Sequence, residues 1–198
     1  IYFEGKRGGG NVWFWGKPAD LQEIRADVEA LEFTPSRIYT RKRKHAIKTF
    51  YADYQVETNE TSFKVGSSAF AALLAALGAP VGNKTQQDFE MPPWLLHSPL
   101  WQKRLFIAAL FGAELSTPKP FQTHNYNFYT PMLSMTKRKL FLASGKRFLR
   151  DLGRMLAEFG VETKAISTRV ENKSHRLRLV LSSKPESLIN LWSKIGFE

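Results

Sequence analysis

The chain repeats itself, and the repeat limits what it can fold into. Leu31-Glu32-Phe33 followed by Ile38-Tyr39-Thr40-Arg41 matches Phe159-Gly160-Val161 followed by Ile166-Ser167-Thr168-Arg169, each position 128 residues further on. Leu77-Gly78-Ala79 likewise matches Ile195-Gly196-Phe197. Copies of one supersecondary plan bury their apolar faces in the same way, so matched positions imply matched elements. Each half reads hairpin, helix, hairpin, helix. In the first, β-rich segments 1–4 and 11–15 flank Gly5-Lys6-Arg7-Gly8-Gly9-Gly10, which lacks Walker spacing and reads as a flexible basic turn. Leu21, Ile24, Val28 and Leu31 then recur at helical spacing. Segments 37–41 and 46–56 read as strands about a turn Lys42-Arg43-Lys44-His45, and 66–77 as a helix capped by Ser67 or Ser68. In the second half, 121–133 is strand-like, 137–159 a basic amphipathic helix, 163–170 with 175–182 a hairpin, and 185–195 a helix. Leu177, Leu179 and Leu181 alternate with Arg176 and Arg178, the pattern of a half-buried strand. The expected organisation is a first pseudo-repeat over 1–80, a linker over 81–98 and a second pseudo-repeat over 99–198.

Only the second half is preceded by a further helix, 99–115, within the stretch LWQKRLFIAALFGAELS. Ala108, Ala109, Gly112 and Ala113 leave one side of it almost without bulk, and small residues four apart let two helix backbones approach closely. Ser98 is placed to cap it, Pro99 suits the first turn, and Gln102 suits a capping box. The apolar run ends in Glu114. A carboxylate at a helix C-terminus opposes the helix dipole, a mild cost that hints at a chemical role. A buried core helix with an acidic last turn is the plainer alternative. Symmetry implies a counterpart helix ahead of Ile1, from a missing N-terminal segment or a second chain.

Charge points to the partner. The formal charge is +11 and the isoelectric point about 9.9, as expected of a protein that meets a polyanion. Residues 115–150 contain no acid, and neither do 34–52, while Asp20, Glu23, Asp27, Glu29 and Glu32 gather in one predicted helix. Such segregation implies one strongly positive face. The absence of cysteine excludes disulfides, thiolate zinc sites and a cysteine nucleophile. None of the four histidines has metal-ligand spacing. The longest apolar runs, 69–82 and 105–115, are too short to span a bilayer, so no membrane partner is expected. With no readable targeting signal, the expected location is cytoplasmic and nucleoid-associated.

A duplicated helix–strand–strand–helix–strand–strand–helix half whose small-residue helix ends in an acid resembles the LAGLIDADG homing endonucleases, including the nuclease domains carried inside inteins. Ile107, Ala108, Ala109, Leu110, Phe111, Gly112, Ala113, Glu114 and Leu115 occupy the nine motif positions in order, with Glu114 on the catalytic acid. Gly112 departs from the usual first acid and Leu115 from the usual final glycine. The resemblance implies an α+β fold of two pseudo-symmetric αββαββα halves with saddle-shaped antiparallel sheets, the first half here lacking its motif helix. It implies double-stranded DNA as partner, Mg²⁺ as cofactor and Glu114 as metal-binding and catalytic acid, with Lys119 stabilising transition-state charge or contacting phosphate. It places Arg37, Arg41, Lys42, Arg43, Lys44 and Lys48 on one DNA-facing hairpin and Arg169, Lys173, Arg176 and Arg178 on its equivalent. Gln122, Asn125, Asn127 and Tyr129 would reach base edges, while Lys6 and Arg7 would contact phosphate. A β-ribbon fits the major groove, where every base pair shows its own donor and acceptor pattern. Paired carboxylates hold hard cations that activate water for phosphodiester hydrolysis.

The expected function is site-specific binding of double-stranded DNA and metal-dependent hydrolysis of its backbone. With one motif helix in 198 residues, the enzymatic step is open. The alternative is a non-cleaving DNA- or RNA-binding protein of the same fold, maturase-like or regulatory. A pure protein-interaction module is the third reading, which the two acid-free tracts disfavour.

Overall fold

Two units divide the chain, Ile1–Gly82 and Asn83–Glu198. The computed structural model describes residues 1–4, 9–48, 53–116, 129–171 and 174–196.

In the first unit, strands β1 (Tyr2–Glu4), β2 (Gly9–Trp15), β3 (Tyr39–Lys48) and β4 (Asp53–Val65) form an antiparallel sheet in the order β1-β2-β4-β3. Helices α1 (Pro18–Ala30) and α2 (Ser68–Ala76) contribute to its core. Strand side chains alternate between faces. Val12 is buried with Phe63 and Val65, and Phe14 packs against them, so Trp13 and Trp15 point to the opposite, open face. Leu21 and Val28 of α1 and Phe70 and Ala71 of α2 complete the core. Ser67 caps α2 as its position implied, accepting a hydrogen bond from the Phe70 N–H at 3.2 Å.

The second unit begins with a 3-10 turn (Lys84–Gln86) and a short helix, α3 (Pro93–Leu96). Then follow α4 (Leu100–Glu114), β5 (Met132–Lys137), α5 (Leu142–Glu158), β6 (Ser167–Glu171), β7 (Ser174–Val180) and α6 (Pro185–Asn190), which runs on as a wider π turn, Leu191–Ile195. The sheet order is β5-β7-β6. One core joins Ile107, Ala108 and Phe111 of α4 to Phe148, Leu149, Leu152, Met155 and Leu156 of α5 and to Leu133, Leu177 and Leu179 of the sheet. Buried Lys103 ties α4 to α5 through Glu158 at 2.7 Å. Met91 and Leu95, within the expected linker 81–98, are buried in this same core.

The duplication extends to backbone detail. The order β2-β4-β3 is repeated as β5-β7-β6. At the ends of α1 and α5, Glu32 (φ 63°) and Gly160 (φ 75°) both take the left-handed conformation. Each lets the next N–H turn back to the helix, Phe33 to the Val28 carbonyl and Val161 to the Leu156 carbonyl. Pro35 then bridges Val65 and Thr163 bridges Leu181 at equivalent places. The chain is thus α+β with two pseudo-symmetric halves, as the repeat implies.

Three local expectations are overturned. The turn at 42–45 is mid-strand: β3 and β4 pair in unbroken register from Tyr39–Ser62 to Lys48–Asp53. A run of four polar residues mimics a turn, but a two-faced solvated ribbon needs polar side chains at every position. Ser98 does not cap α4, because its hydroxyl donates to the Leu95 carbonyl at 2.8 Å and Pro99 holds the cap position. Lys137 is the last residue of β5 and not the first of a helix; its side chain is buried, and helix begins only after a 3-10 turn over Lys139–Phe141. Of the strand expected over 121–133, residues 121–128 lie outside the described part.

Candidate nucleic-acid interface and acidic helix tip

The face of each sheet turned away from its helices carries the cations. In the first unit, Arg41 and Arg43 sit at alternate positions of β3, opposite Glu60 and Thr58, on the face shared with Trp13, Trp15 and Lys64. Glu60 draws the two arginines together: Arg41 donates through Nε and Nη2 at 3.1 and 3.0 Å, and Arg43 through Nη1 at 3.2 Å. Desolvation pushes the Glu60 carboxyl up, but those hydrogen bonds and charges outweigh it and hold its pKa below the ordinary value. Arg37 is exposed and lies over the Tyr39 ring at 4.9 Å. Lys42 and Lys44 are exposed but fall on the other side of the ribbon, opposite Asn59 and Glu57. Arg41 and Arg43 therefore lie on one face of the ribbon, and Lys42 and Lys44 on the other.

In the second unit, Ser134, Arg178 and Ser167 form one row across the sheet, and Thr136, Arg176 and Arg169 the next. Leu177 and Leu179 alternate with these arginines and are buried, so the arginines face away from the core. Arg176 pairs with Glu171 at 3.0 Å. The Arg178 Nε–H is buried without a hydrogen-bond partner among the described residues. Tyr129 is exposed just ahead of β5. Lys6, Arg7, Lys119, Gln122, Asn125, Asn127 and Lys173 lie outside the described residues; Lys48 ends β3, with its side chain outside them.

Glu114 ends α4 and is 40 % exposed. The next residues are fixed to β5: Leu115 bridges Leu133, the Ser116 N–H donates to the Met132 carbonyl, and the Ser116 hydroxyl accepts from the Met132 N–H. The Lys84 ammonium donates to Glu114 Oε1 at 2.8 Å, a contact between residues 30 apart that no sequence pattern announces. Lys84 is itself held by its backbone. The Lys137 ammonium, 1 % exposed as a residue, donates to the carbonyls of Lys84 at 2.7 Å and Gln87 at 2.9 Å and sits over the Phe89 ring. Burial pushes the Lys137 pKa down; nearby Asp88 opposes this and Lys84 adds to it. On α4, Ala108 is buried while Trp101, Leu105, Ala109, Gly112 and Ala113 are exposed, so the small-residue side of the helix is uncovered among the described residues.

A divalent cation needs several oxygen ligands. Among the described residues no group of three acidic, histidine or cysteine side chains comes together, and Glu114 is matched by a lysine. These residues alone do not make the Mg²⁺ site implied by the resemblance. No helix among them is long and apolar enough to cross a membrane.

Solved structures with the same duplicated architecture define the fold class. The chain has the fold of the LAGLIDADG homing endonucleases. I-DmoI is among them: its complex with DNA and Ca aligns with a TM-score of 0.52 at 14 % identity over 98 % of this chain and 79 % of that one. A variant with nicked target DNA and Mn aligns at 0.54 and 13 % identity, over 99 % and 85 %. No family model matches the sequence. Among curated proteins, tRNA-splicing ligase RtcB of Methanocaldococcus jannaschii is 37 % identical over 94 % of this chain and 19 % of its own length. RtcB of Pyrococcus furiosus is 34 % identical over 93 % and 18 %. The RNA polymerase subunit Rpo1N of M. jannaschii is 32 % identical over 83 % and 12 %. The chain thus spans less than a fifth of these relatives.

Proposed function

We propose that the chain is the DNA-recognising part of an intein-borne homing endonuclease, with Glu114 as one acid of its cleavage centre. The observation that carries DNA binding is the placement of arginines on the open face of both sheets, at strand positions related by the repeat: Arg41 in one, Arg169 in the other. A two-stranded ribbon with outward guanidinium groups is shaped and charged for the major groove. The two faces differ in chemistry, Trp13, Trp15 and Arg43 against Met132, Ser134 and Glu171, which suits a target whose half-sites differ. The intein reading rests on the relatives. A ligase and a polymerase subunit have no activity in common, yet each matches most of this chain with a small share of itself. A segment shared by such proteins acts for itself, so the ligase activity is not carried over.

Glu114 binds a divalent cation only together with a second carboxylate, and the uncovered small-residue side of α4 is where a counterpart helix would pack. In a nicking assay with the assembled protein, Mg²⁺ and target DNA, Glu114→Gln is expected to abolish cleavage without weakening binding. Undiminished cleavage would remove Glu114 from the reaction. A non-cleaving DNA- or RNA-binding role is the second reading, favoured by the Lys84–Glu114 pair; it predicts tight, salt-sensitive binding and no nicking at any metal concentration.

A further inference from the structure

The first sheet carries on its cationic face something the second, among the described residues, lacks: a pair of exposed indoles. Trp13 and Trp15 are 37 % and 54 % exposed, and their rings stack with centroids 5.7 Å apart and planes 19° from parallel. Lys64 places its ammonium 5.8 Å from the Trp13 centroid. Trp15 lines a groove of about 560 Å³ with Arg41, Arg43 and Glu60. At the equivalent register positions the second sheet has Met132 and Ser134. Neither indole contributes to the core beneath, which is built from Val12, Phe63 and Val65 on the other face. Folding leaves this apolar area in water, so its cover comes from whatever the face binds, and the surrounding Arg41, Arg43 and Lys64 require that occupant to be a polyanion.

Resting on the DNA reading above, we propose that Trp13 and Trp15 read the 5-methyl groups of thymine in the half-site bound by the first sheet. In the major groove every base edge offers a hydrogen-bond donor or acceptor, and the thymine methyl is the apolar projection among them. An indole pressed against any other edge would desolvate polar atoms with no return. Stacking on an unpaired base is less suited to these rings, because each already gives area to the other and Lys64 approaches Trp13. An RNA duplex has no such methyl and a major groove too narrow for a sheet ribbon.

The experiment is selection of binding sites from random duplex DNA, followed by affinity measurement on the selected site remade with deoxyuridine for thymidine in one half at a time. We expect thymine enrichment in one half-site and a loss of about fourfold per methyl removed there, from ~0.8 kcal/mol per buried carbon. Deoxyuridine in the other half should change nothing. Trp13→Ala and Trp15→Ala should bring the thymine-to-uracil ratio towards one, while Trp15→Phe keeps most of it; a merely structural tryptophan would lower both affinities together. A ratio of one for the wild type, or one undiminished in both alanine variants, overturns the proposal while leaving DNA binding intact. Preference for single-stranded DNA, RNA or a second copy of the chain over duplex also overturns it. Failure to retain any nucleic acid overturns the DNA reading itself.

Discussion

Glu60 sets how much of the first sheet's positive charge is available to a polyanion. Arg41 and Arg43 spend four hydrogen bonds on it, and on the proposed DNA-binding face a carboxylate would repel the backbone those arginines neutralise. Glu60→Gln should therefore tighten non-specific DNA binding and steepen the dependence of log K on log salt by about one, read by anisotropy titrations across a potassium chloride series. Lys137 acts in the opposite direction, inward. Replacing it by Met strips the Lys84 and Gln87 carbonyls of their donor and should cost about 1–3 kcal/mol in urea unfolding. The sign of its pH dependence follows from its lowered pKa. Between that value and the unfolded lysine value of about 10.4, the unfolded chain binds more protons than the folded one, so folding stability rises with pH. The neutral amine still donates both hydrogen bonds. The wild type should therefore gain on Lys137→Met as the pH is raised from 8 to 10, and a constant difference would place the burial penalty elsewhere.

At the scale of elements, contact between helix and strand is decided by a few small residues. A Cβ on Gly10 would lie 2.6 Å from the Ala71 Cβ and 2.9 Å from the Ser68 Cα, neither of which has a rotamer to retreat into. Gly10 also donates its N–H to the Ser68 hydroxyl at 2.9 Å. Gly10→Ala must push α2 off β2 and should cost about 1–3 kcal/mol, whereas Gly66→Ala, whose Cβ meets only Asn11 Oδ1 at 3.6 Å, should stay within ~0.5 kcal/mol of neutral. Thermal unfolding of the two variants makes the comparison. What was legible in the sequence follows the same division between local and distant. The repeat exposed the fold because paired helix ends and strands leave paired residues: Glu32 and Gly160 share one backbone role despite sharing no chemistry. Alternation would also have revealed the open-face tryptophans, since Val12 and Phe14 flank them. Polar residues at 42–45 hid a strand, because solvated ribbon and turn draw on the same residue types. Lys84 was invisible: its link to Glu114 depends on a turn pinned by Lys137, more than fifty residues beyond it.

At the scale of the molecule, duplication followed by divergence gives one architecture two sheet faces of unlike chemistry. Matched strands carry Glu60 where the other half has Arg176 and Ser62 where it has Arg178, so the halves share Arg41 and Arg169 but only the second adds arginines on its middle strand. If each sheet engages its own stretch of a shared target, charge removal in one unit must be felt locally. Arg41→Ala with Arg43→Ala should erase hydroxyl-radical protection over one end of the bound site, and Arg169→Ala with Arg176→Ala over the other. Each pair should also lower the salt slope by one to two phosphate contacts, at about 0.9 per contact. Uniform weakening without a shift in the footprint would mean that the arginines contribute only to the overall field. A footprint lost at the same end for both pairs would mean that the two faces do not divide the target. The outcome bears on the intein reading too, because a segment that reads a long site with two dissimilar halves carries its own address and needs nothing from proteins as unlike as the ligase and the polymerase subunit that it partly resembles.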